Sequence, residues 1–384
     1  MVLYVHVPFC IAKCAYCAFY SQKIQNDGTV KNYLSGLAKE INMYQRDASF
    51  IEKSLIFPLS ALFIGGGTPT ALSEQELSEL LKIINNNFHF CAEAEKTMEG
   101  NPGTLNKEKL KLIKDGGINR LSLGVQSFSD VLLKRIGRIH TGEQAEETIR
   151  EARRAGFANL NLDLMFGLPV QTMADWQRTL EIALKHEPEH LSIYGLMIEE
   201  GTALEREIKI GSAGITLPDD DMQAEMYAWA EEFLQKNGYS HYETSNFSRA
   251  GYECRHNISY WQGSEYIGLG PGAVSFYGQT RKENVRSIED YDKTLKRDQW
   301  PIAEEEFLRR EDLMSERMML GLRMAQGVDL QKFECDFGVK VENIYGEVLE
   351  RYKSRNILYL SHNSLRLNPQ YAFVANSVLQ DFLL

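Results

Sequence analysis

The chain has 384 residues, of which 43% are hydrophobic and 25% charged, as is ordinary for a globular protein large enough for two domains. Its net charge of −11 disfavours non-specific binding to nucleic acid. No apolar stretch approaches the roughly 20 residues that cross a bilayer, so we expect no transmembrane segment. The sequence opens on a strand-like run, so we also expect no signal peptide. Six cysteines without an even disulfide framework indicate a reducing, cytoplasmic location.

The first half of the chain alternates short apolar runs, typical of strands, with patterns typical of helices. Two helices are predicted to begin at capping boxes, in which Ser73 precedes Glu76 and Thr141 precedes Gln144. Alternation of this kind predicts an α/β fold with a parallel sheet, open or barrel-like. The predicted strands are Leu3–Val7, Ala61–Ile64, Lys96–Glu99, Arg120–Val125, Leu160–Met165 and His190–Leu196.

Three cysteines follow the first predicted strand with the spacing C-x3-C-x2-C, at Cys10, Cys14 and Cys17. Thiolates bind soft metals and iron–sulfur clusters, and three of them would leave one iron of a cubane without a cysteine ligand. A disulfide arrangement fits an odd number of cysteines badly. A tetrahedral zinc site needs a fourth ligand, for which His6 could be offered, although it lies in an apolar run. The spacing therefore favours an iron–sulfur cluster.

Other unusual residues also follow predicted strands. A glycine-rich turn at Gly65–Pro69 follows the second strand, Glu99 ends the third and Gln126 ends the fourth, while Asp163 lies within the fifth. The carboxyl ends of the strands of a β/α barrel share one face, where ligands and catalytic groups sit. Each residue has an ordinary alternative, such as a tight turn or a surface strand end, but their common position indicates a site.

The second half of the chain is organised differently. Met222, Met226, Trp229 and Phe233 recur at helical spacing and are interpreted as core. A loop-rich stretch follows. The last part shows helices around 310–325 and 340–354 and a hairpin that turns at His362–Asn363, which together resemble a winged helix. From residue 310 to the end, nine Lys and Arg residues stand against ten Asp and Glu, which argues against DNA binding.

The three-cysteine loop resembles the signature of the radical S-adenosylmethionine (SAM) enzymes. The runs Tyr4–Cys10, Gly65–Thr70 and Leu164–Pro169 narrow the resemblance to the oxygen-independent coproporphyrinogen III oxidase-like family. It implies an incomplete (β/α)6 radical SAM barrel in residues 1–235, a connecting region in 236–305 and a small helical, winged-helix-like domain in 306–384. It also implies a [4Fe-4S] cluster on the three loop cysteines, with SAM on the fourth iron.

The resemblance implies a set of SAM contacts as well. Tyr16 stands where the family has an aromatic residue near the adenine, Arg138 fits a carboxylate contact, and Asp163 fits a ribose hydroxyl. Met197 is a looser match to a backbone contact. No residue is assigned a catalytic role. The implied SAM-binding residues are Tyr4, Tyr16, Gly66, Gly67, Thr68, Glu99, Gln126, Arg138 and Asp163.

Two kinds of protein share this resemblance: oxidases that decarboxylate porphyrinogen propionates, and haem chaperones. Three features favour a chaperone: the first cysteine is already residue 10, whereas the oxidases carry an N-terminal extension; Phe19 replaces their fourth cysteine; and His256–Trp261 matches a haem-linked His-Asn-x-x-Tyr-Trp motif. We therefore expect haem binding and delivery to haem-requiring acceptors, including respiratory ones at the membrane, with oxidase activity as the alternative. His256 is the candidate iron ligand and Cys254 its competitor, and an ordinary hydrogen-bonding role for His256 stays open.

Overall fold

The computed structural model describes residues 1–25, 28–47, 58–211 and 216–384. Within them the strands are β1 (Val2–Val7), β2 (Phe9–Cys10), β3 (Gln22–Lys23), β4 (Leu59–Gly66), β5 (Phe90–Gly100), β6 (Arg120–Gln126), β7 (Leu160–Phe166), β8 (His190–Gly195), β9 (Ser240–Glu243), β10 (Asn246–Ser248), β11 (Tyr266–Leu269), β12 (Val274–Tyr277), β13 (Thr280–Asn284), β14 (Ile302–Phe307), β15 (Val328–Asp329), β16 (Leu358–Ser361) and β17 (Ser364–Leu367).

The helices of the described residues fall between these strands and at the end of the chain. Short 3-10 helices cover Pro69–Ala71, Pro102–Thr104, Pro369–Val374 and Gln380–Phe382. The α-helices are α1 (Thr29–Tyr44), α2 (Glu74–Asn87), α3 (Lys107–Asp115), α4 (Asp130–Arg135), α5 (Gly142–Arg154), α6 (Met173–Lys185), α7 (Ala203–Lys209), α8 (Asp220–Lys236), α9 (Arg255–Trp261), α10 (Ile288–Lys296), α11 (Arg310–Gly321), α12 (Leu330–Phe337), α13 (Val341–Ser354) and α14 (Ala375–Leu379).

One mixed sheet of 12 strands organises the described residues, in the order β14-β13-β12-β11-β1-β4-β5-β6-β7-β8-β10-β9. Neighbours from β11 through β8 pair in parallel, and the strands outside them pair antiparallel. The sheet is an open one, and each of the six predicted strands coincides with an observed strand except that Leu196 lies one residue beyond β8. Both predicted capping boxes are present at the starts of α2 and α5.

Alternation along the parallel strands gives the sheet two different faces. In β6, Leu121, Leu123 and Val125 belong to the main hydrophobic core together with side chains of the flanking helices. The residues between them in β6, Ser122 and Gly124, point to the other face. That second face carries polar side chains of the parallel strands. The sheet therefore has one apolar face that packs against helices and one buried face that is more polar.

A buried carboxyl group ties the antiparallel extension of the sheet to α1. Glu40 accepts hydrogen bonds from the Gly270 backbone N–H (2.8 Å), the Asn284 side chain (2.6 Å) and the Tyr291 hydroxyl (2.5 Å). Burial raises the pKa of Glu40 to about 7, although these hydrogen bonds act in the opposite direction. The contacts fix α1, the turn after β11, β13 and α10 relative to one another.

The last part of the chain has its own hydrophobic core, built from buried residues between Met314 and Phe382. Helices α11 and α13 and the hairpin β16–β17 match the elements that the sequence predicts there, and β15 completes a three-stranded sheet. The Met222 stripe also lies in a helix, α8, where Met226 is fully buried in the main core. The domain boundaries at 235/236 and 305/306 stay predictions. Among the described helices, none has the length and apolar character to cross a membrane.

Candidate functional site

The cysteine loop leaves the sheet directly after β1. Its base is closed by the short parallel pair β2 and β3, in which Cys10 pairs with Lys23. Its middle is held by backbone hydrogen bonds of Ala15, which donates to the Ile136 carbonyl (3.0 Å) and accepts from the Leu204 N–H (2.8 Å). The loop is therefore anchored at both its ends and its centre. All three of its cysteines are free thiols that are partly accessible.

A single metal ion is the alternative to a cluster at this loop. No group of three His, Cys, Asp or Glu side chains within residues 1–25, 28–47, 58–211 and 216–384 is placed to hold one ion. Both ring nitrogens of His6 are already used, by the Tyr4 hydroxyl (2.9 Å) and the Tyr20 carbonyl (2.9 Å). In a cubane each cysteine binds a different iron, so a cluster does not require the three thiols to converge on one ion.

Two of the cysteines contact polar residues from other strand ends. Cys10 Sγ lies 3.5 Å from Thr68 Oγ1, and Arg138 donates from Nη1 to Cys14 Sγ at 3.5 Å. Asn101 connects these two partners, because its Nδ2 donates to Thr68 Oγ1 (2.8 Å) and its Oδ1 accepts from Arg138 Nη2 (2.6 Å). The structure thus places Thr68 and Arg138 beside the cysteine loop and joins them through one amide.

Gly124 makes this convergence possible. A Cβ at Gly124 would lie 2.7 Å from Asn101 Oδ1, 3.1 Å from Arg138 Nη2 and 3.2 Å from Gln126 Nε2. The Gly124 carbonyl also accepts a hydrogen bond from Arg138. Gln126, two residues further along β6 and at its end, is buried and has a left-handed backbone with φ of 65°. Three polar side chains therefore meet over a residue that has no side chain.

The glycine-rich turn after β4 packs against the start of the cysteine loop. Gly66 has φ of 105°, and its N–H donates to Glu99 Oε2 at 3.1 Å. A Cβ at Gly67 would lie 2.6 Å from the Phe9 carbonyl oxygen, and the Thr68 N–H donates to that oxygen at 2.7 Å. Gly67 is thus required by the close approach of two backbones and Gly66 by its left-handed backbone, and the Gly66 N–H brings Glu99 into the same neighbourhood.

Two buried carboxylates face this region from β5 and β7. Burial, followed by the charge of Asp163, raises the pKa of Glu99 to about 8. Burial also raises the pKa of Asp163, and its hydrogen bond from Asn161 (2.8 Å) acts in the opposite direction. Burial raises the pKa of the Tyr16 hydroxyl, which has Arg138 and Asp163 among its charged neighbours.

The structure brings most of the predicted SAM contacts together. Tyr4 lies at the edge of the group, with its hydroxyl bonded to His6 and Glu99 among its electrostatic neighbours. Met197, two residues beyond β8, has a side chain that is 69% exposed. A buried donor also remains: Arg138 Nε has no hydrogen-bond partner among the described residues.

The His-Asn-x-x-Tyr-Trp run forms α9, which lies against the opposite end of the parallel strands. The Cys254 N–H donates to the Tyr242 hydroxyl (3.2 Å), which in turn bonds His190, the first residue of β8, at 2.7 Å. The Cys254 thiol donates to Glu95 at 3.4 Å, and burial raises its pKa to about 12. The cysteine is therefore engaged in a buried polar network.

His256 is enclosed by aromatic rings. It is 2% exposed, stacks on Phe63 at a centroid distance of 4.9 Å, and meets the edge of Tyr260 at 4.7 Å. Burial, with a smaller effect of Arg120, lowers the pKa of His256 to about 3, so the imidazole is neutral at physiological pH. Its Nδ1 is buried without a hydrogen-bond partner in the described part of the chain.

A cavity of about 1230 Å³ lies beside the cysteine loop. Its wall includes Tyr4 from β1, Lys13 and Phe19 from the cysteine loop, and Tyr260 from α9. Most of the rest of the wall comes from β11–β13 with their connecting turns and from the C-terminal helices α11 and α12. Of the haem-linked motif, Tyr260 reaches this wall, and the His256 ring lies behind it.

Comparison with known proteins assigns these features to a family. A model of the Radical SAM superfamily matches residues 4–183, and a model of the HemN C-terminal domain matches residues 308–370. The heme chaperone HemW of Bacillus subtilis is 36% identical over 381 residues, which cover 99% of this chain and 98% of that protein. The chain belongs to the HemW family of radical SAM proteins. The heme chaperone HemW of Escherichia coli is 38% identical over 271 residues, covering 71% of this chain and 68% of that one.

A solved structure supports the fold. Coproporphyrinogen III oxidase (HemN) of Escherichia coli superposes with a TM-score of 0.84 and 23% identity, covering 100% of this chain and 89% of that one. The predicted radical SAM α/β fold with an incomplete barrel and a small C-terminal domain is thereby confirmed. The radical SAM family uses a [4Fe-4S] cluster and SAM. The three free thiols and the unpartnered Arg138 Nε fit these groups.

Two residues of the site are missing from the set predicted from the sequence. Asn101 links Thr68 to Arg138, and Gly124 leaves room for that link. The signal for Asn101 was its position just beyond the end of a strand that carries another polar residue, Glu99. Nothing in the sequence marked Gly124 as part of the site. Its neighbours there, Asn101 and Arg138, come from other segments of the chain, and the sequence does not reveal how these segments align with β6.

Proposed function

We propose that this chain binds haem and delivers it to haem-requiring acceptor proteins, including respiratory ones at the membrane, from a cytoplasmic location. The observation that carries the proposal is the large cavity whose wall combines the cysteine loop with Tyr260 of the haem-linked motif. Relatives that cover nearly the whole chain are named heme chaperones, which supports the same function. Phe19, in place of the fourth cysteine of the oxidases, also favours it.

We further propose that Cys10, Cys14 and Cys17 hold a [4Fe-4S] cluster. When bound, the cluster supplies one open iron for the amino and carboxylate groups of SAM. Arg138 would hold the SAM carboxylate and Asp163 a ribose hydroxyl, because both are buried, polar and close to Tyr16. Tyr4, Gly66, Gly67, Thr68, Glu99 and Gln126 would complete this site.

His256 is proposed as the iron ligand in preference to Cys254. A neutral imidazole with an unpartnered nitrogen is a suitable haem ligand, whereas the Cys254 thiol is hydrogen-bonded to Glu95 and resists deprotonation. Because the ring of Tyr260 adjoins that of His256 and lines the cavity, rotation of Tyr260 would open a path between His256 and a bound macrocycle.

Haem titration of the anaerobically reconstituted protein tests this proposal. We expect the wild type to retain haem in a roughly one-to-one ratio and His256→Ala to weaken the binding or shift its absorption spectrum. His89→Ala is the matched control, because His89 is exposed on the surface. Wild-type protein that retains no haem would contradict the function. An unchanged spectrum for His256→Ala would contradict only the ligand assignment.

A further inference from the structure

The cavity beside the cysteine loop has a charge opposite to that of the protein. Its wall holds five cationic side chains against two carboxylates, a net charge of +3, whereas the whole chain carries −11. A positive cavity in an acidic protein selects anionic ligands, because clefts with one sign of charge concentrate the opposite one. The cations are Lys13, Arg281, Arg286, Arg310 and Arg317.

Three of these cations are neutralised by the protein itself. Arg281 of β13 makes a bidentate contact with Glu316 of α11 at 2.7 and 2.9 Å. Arg317 pairs with Asp336 at 2.6 Å. Arg286 pairs with a glutamate three residues away at 2.8 Å. These pairs hold the wall in place and leave no charge free for a ligand.

The two remaining cations face no carboxylate. Lys13 donates to the Phe19 carbonyl at 3.3 Å, and Arg310 donates to the Phe337 carbonyl. Neither has an ion pair within 4.0 Å in the part of the chain that the structure describes. Lys13 belongs to the cysteine loop and Arg310 begins α11, so the free charges lie on different segments of the wall.

The surface between these cations is aromatic and apolar. Tyr260 and Tyr266 meet edge to face with centroids 4.4 Å apart, and Phe276, Leu313 and Leu320 continue the wall. At about 1230 Å³ the cavity exceeds the roughly 300–1,000 Å³ of most small-molecule sites. Its ligand should therefore be large, mostly apolar and doubly negative.

We infer that this cavity binds a tetrapyrrole through its two carboxylates, one on Arg310 and one on Lys13, with the macrocycle against Tyr260 and Tyr266. The inference rests on the proposed haem function and names the site and the anionic contacts. Arg310 presents a planar fork that suits a carboxylate, and Lys13 presents a point charge. The bound macrocycle would then contact both the cysteine loop and the C-terminal domain.

The test is a fluorescence titration of full-length protein with metal-free protoporphyrin IX and with its dimethyl ester, beside a haem titration. We expect the ester to bind at least about tenfold more weakly, since it lacks both charges. Arg310→Gln and Lys13→Gln should each weaken protoporphyrin and haem binding about tenfold, which matches one charge-assisted hydrogen bond. Arg355→Gln, an exposed arginine of the same domain outside the cavity, should change nothing. Iron and sulfide content checks that Lys13→Gln keeps the cluster.

The outcomes separate this inference from the proposed function. Wild-type haem affinity in both Arg310→Gln and Lys13→Gln would overturn the cavity site and leave the haem function standing. Equal binding of the ester and the diacid would overturn the role of the carboxylates. Absence of haem binding to the wild type, with intact protoporphyrin binding that depends on Arg310, would uphold the site and contradict the chaperone function.

Discussion

Replacing Asn101 by Ala should weaken SAM binding without removing the cluster. The Asn101 amide is the only group in the described residues that bonds both Thr68 and Arg138, at 2.8 and 2.6 Å. Without it, Arg138 keeps its contacts with the Gly124 carbonyl and Cys14. Its Nη2 loses the side-chain oxygen that helps to fix the orientation of the guanidinium. The guanidinium would then spend less time in the position proposed for binding the SAM carboxylate.

The size of the effect follows from the kind of bond. A hydrogen bond with a charged donor contributes about 1.5–3 kcal/mol, and each 1.4 kcal/mol is about a tenfold change in affinity. We therefore expect SAM to bind roughly ten- to a hundredfold more weakly to Asn101→Ala. Isothermal calorimetry of reconstituted protein measures this, with iron and sulfide content determined on the same samples.

Asn119→Ala is the matched control. Asn119 also makes two hydrogen bonds within the sheet, to the Lys96 N–H and the Ala94 carbonyl, both at 2.8 Å, but it lies before β6 and away from the cysteine loop. Its loss should lower the free energy of unfolding and leave SAM affinity unchanged. Equal SAM affinities for wild type and Asn101→Ala, at equal cluster content, would show that Asn101 does not position Arg138 for SAM.

Three further predictions concern the cluster, the site and the fold. Replacing all three loop cysteines by Ala should remove most cluster iron and sulfide, whereas Cys335→Ala should not, and a triple variant with full iron content would refute the ligand assignment. Gly124→Ala should lower SAM affinity because its Cβ would crowd the Asn101 side chain at 2.7 Å, whereas Gly346→Ala, with open space around it, should be tolerated; equal SAM affinities would count against the crowding. Because burial raises the pKa of Glu40 from 4.5 to about 7, the folded state retains a proton that the unfolded chain loses, so stability should fall as pH rises through that window. Denaturant unfolding of Glu40→Gln should show a flatter pH dependence, and an identical dependence would contradict the buried neutral carboxyl.

The parallel strands were predictable because their signals are local. Runs such as Arg120–Val125 are apolar on the face that packs against helices, and Ser73 and Thr141 mark helix starts through their own hydrogen bonds. The strands β11–β13 were not predicted, because the sequence indicated a loop-rich stretch there; β11 extends the parallel sheet and β12 and β13 add antiparallel strands to it. Gly268 contributed to the prediction of a loop, because glycine is typical of turns. In the structure a Cβ at Gly268 would lie 2.1 Å from the Val274 carbonyl oxygen, so this glycine is needed where β11 approaches β12.

The site was predictable only in part, for a related reason. Thr68, Glu99 and Arg138 stand out because each follows a strand or matches a family run. Their connection through Asn101 depends on strand register, which is a tertiary property. The position of His256 behind Tyr260 depends on how α9 meets the sheet, and a motif in a sequence does not show which of its side chains reaches a cavity.

The proposed chaperone function is tested most directly by measuring haem transfer and oxidase turnover on the same preparation. Reconstituted protein loaded with haem is incubated with an apo haem protein, and the absorption of the acceptor is followed. In parallel, the same preparation receives coproporphyrinogen III, SAM and reductant. We predict transfer to the acceptor and no protoporphyrinogen IX. SAM-dependent decarboxylation at the rate of a true oxidase, without haem transfer, would contradict it.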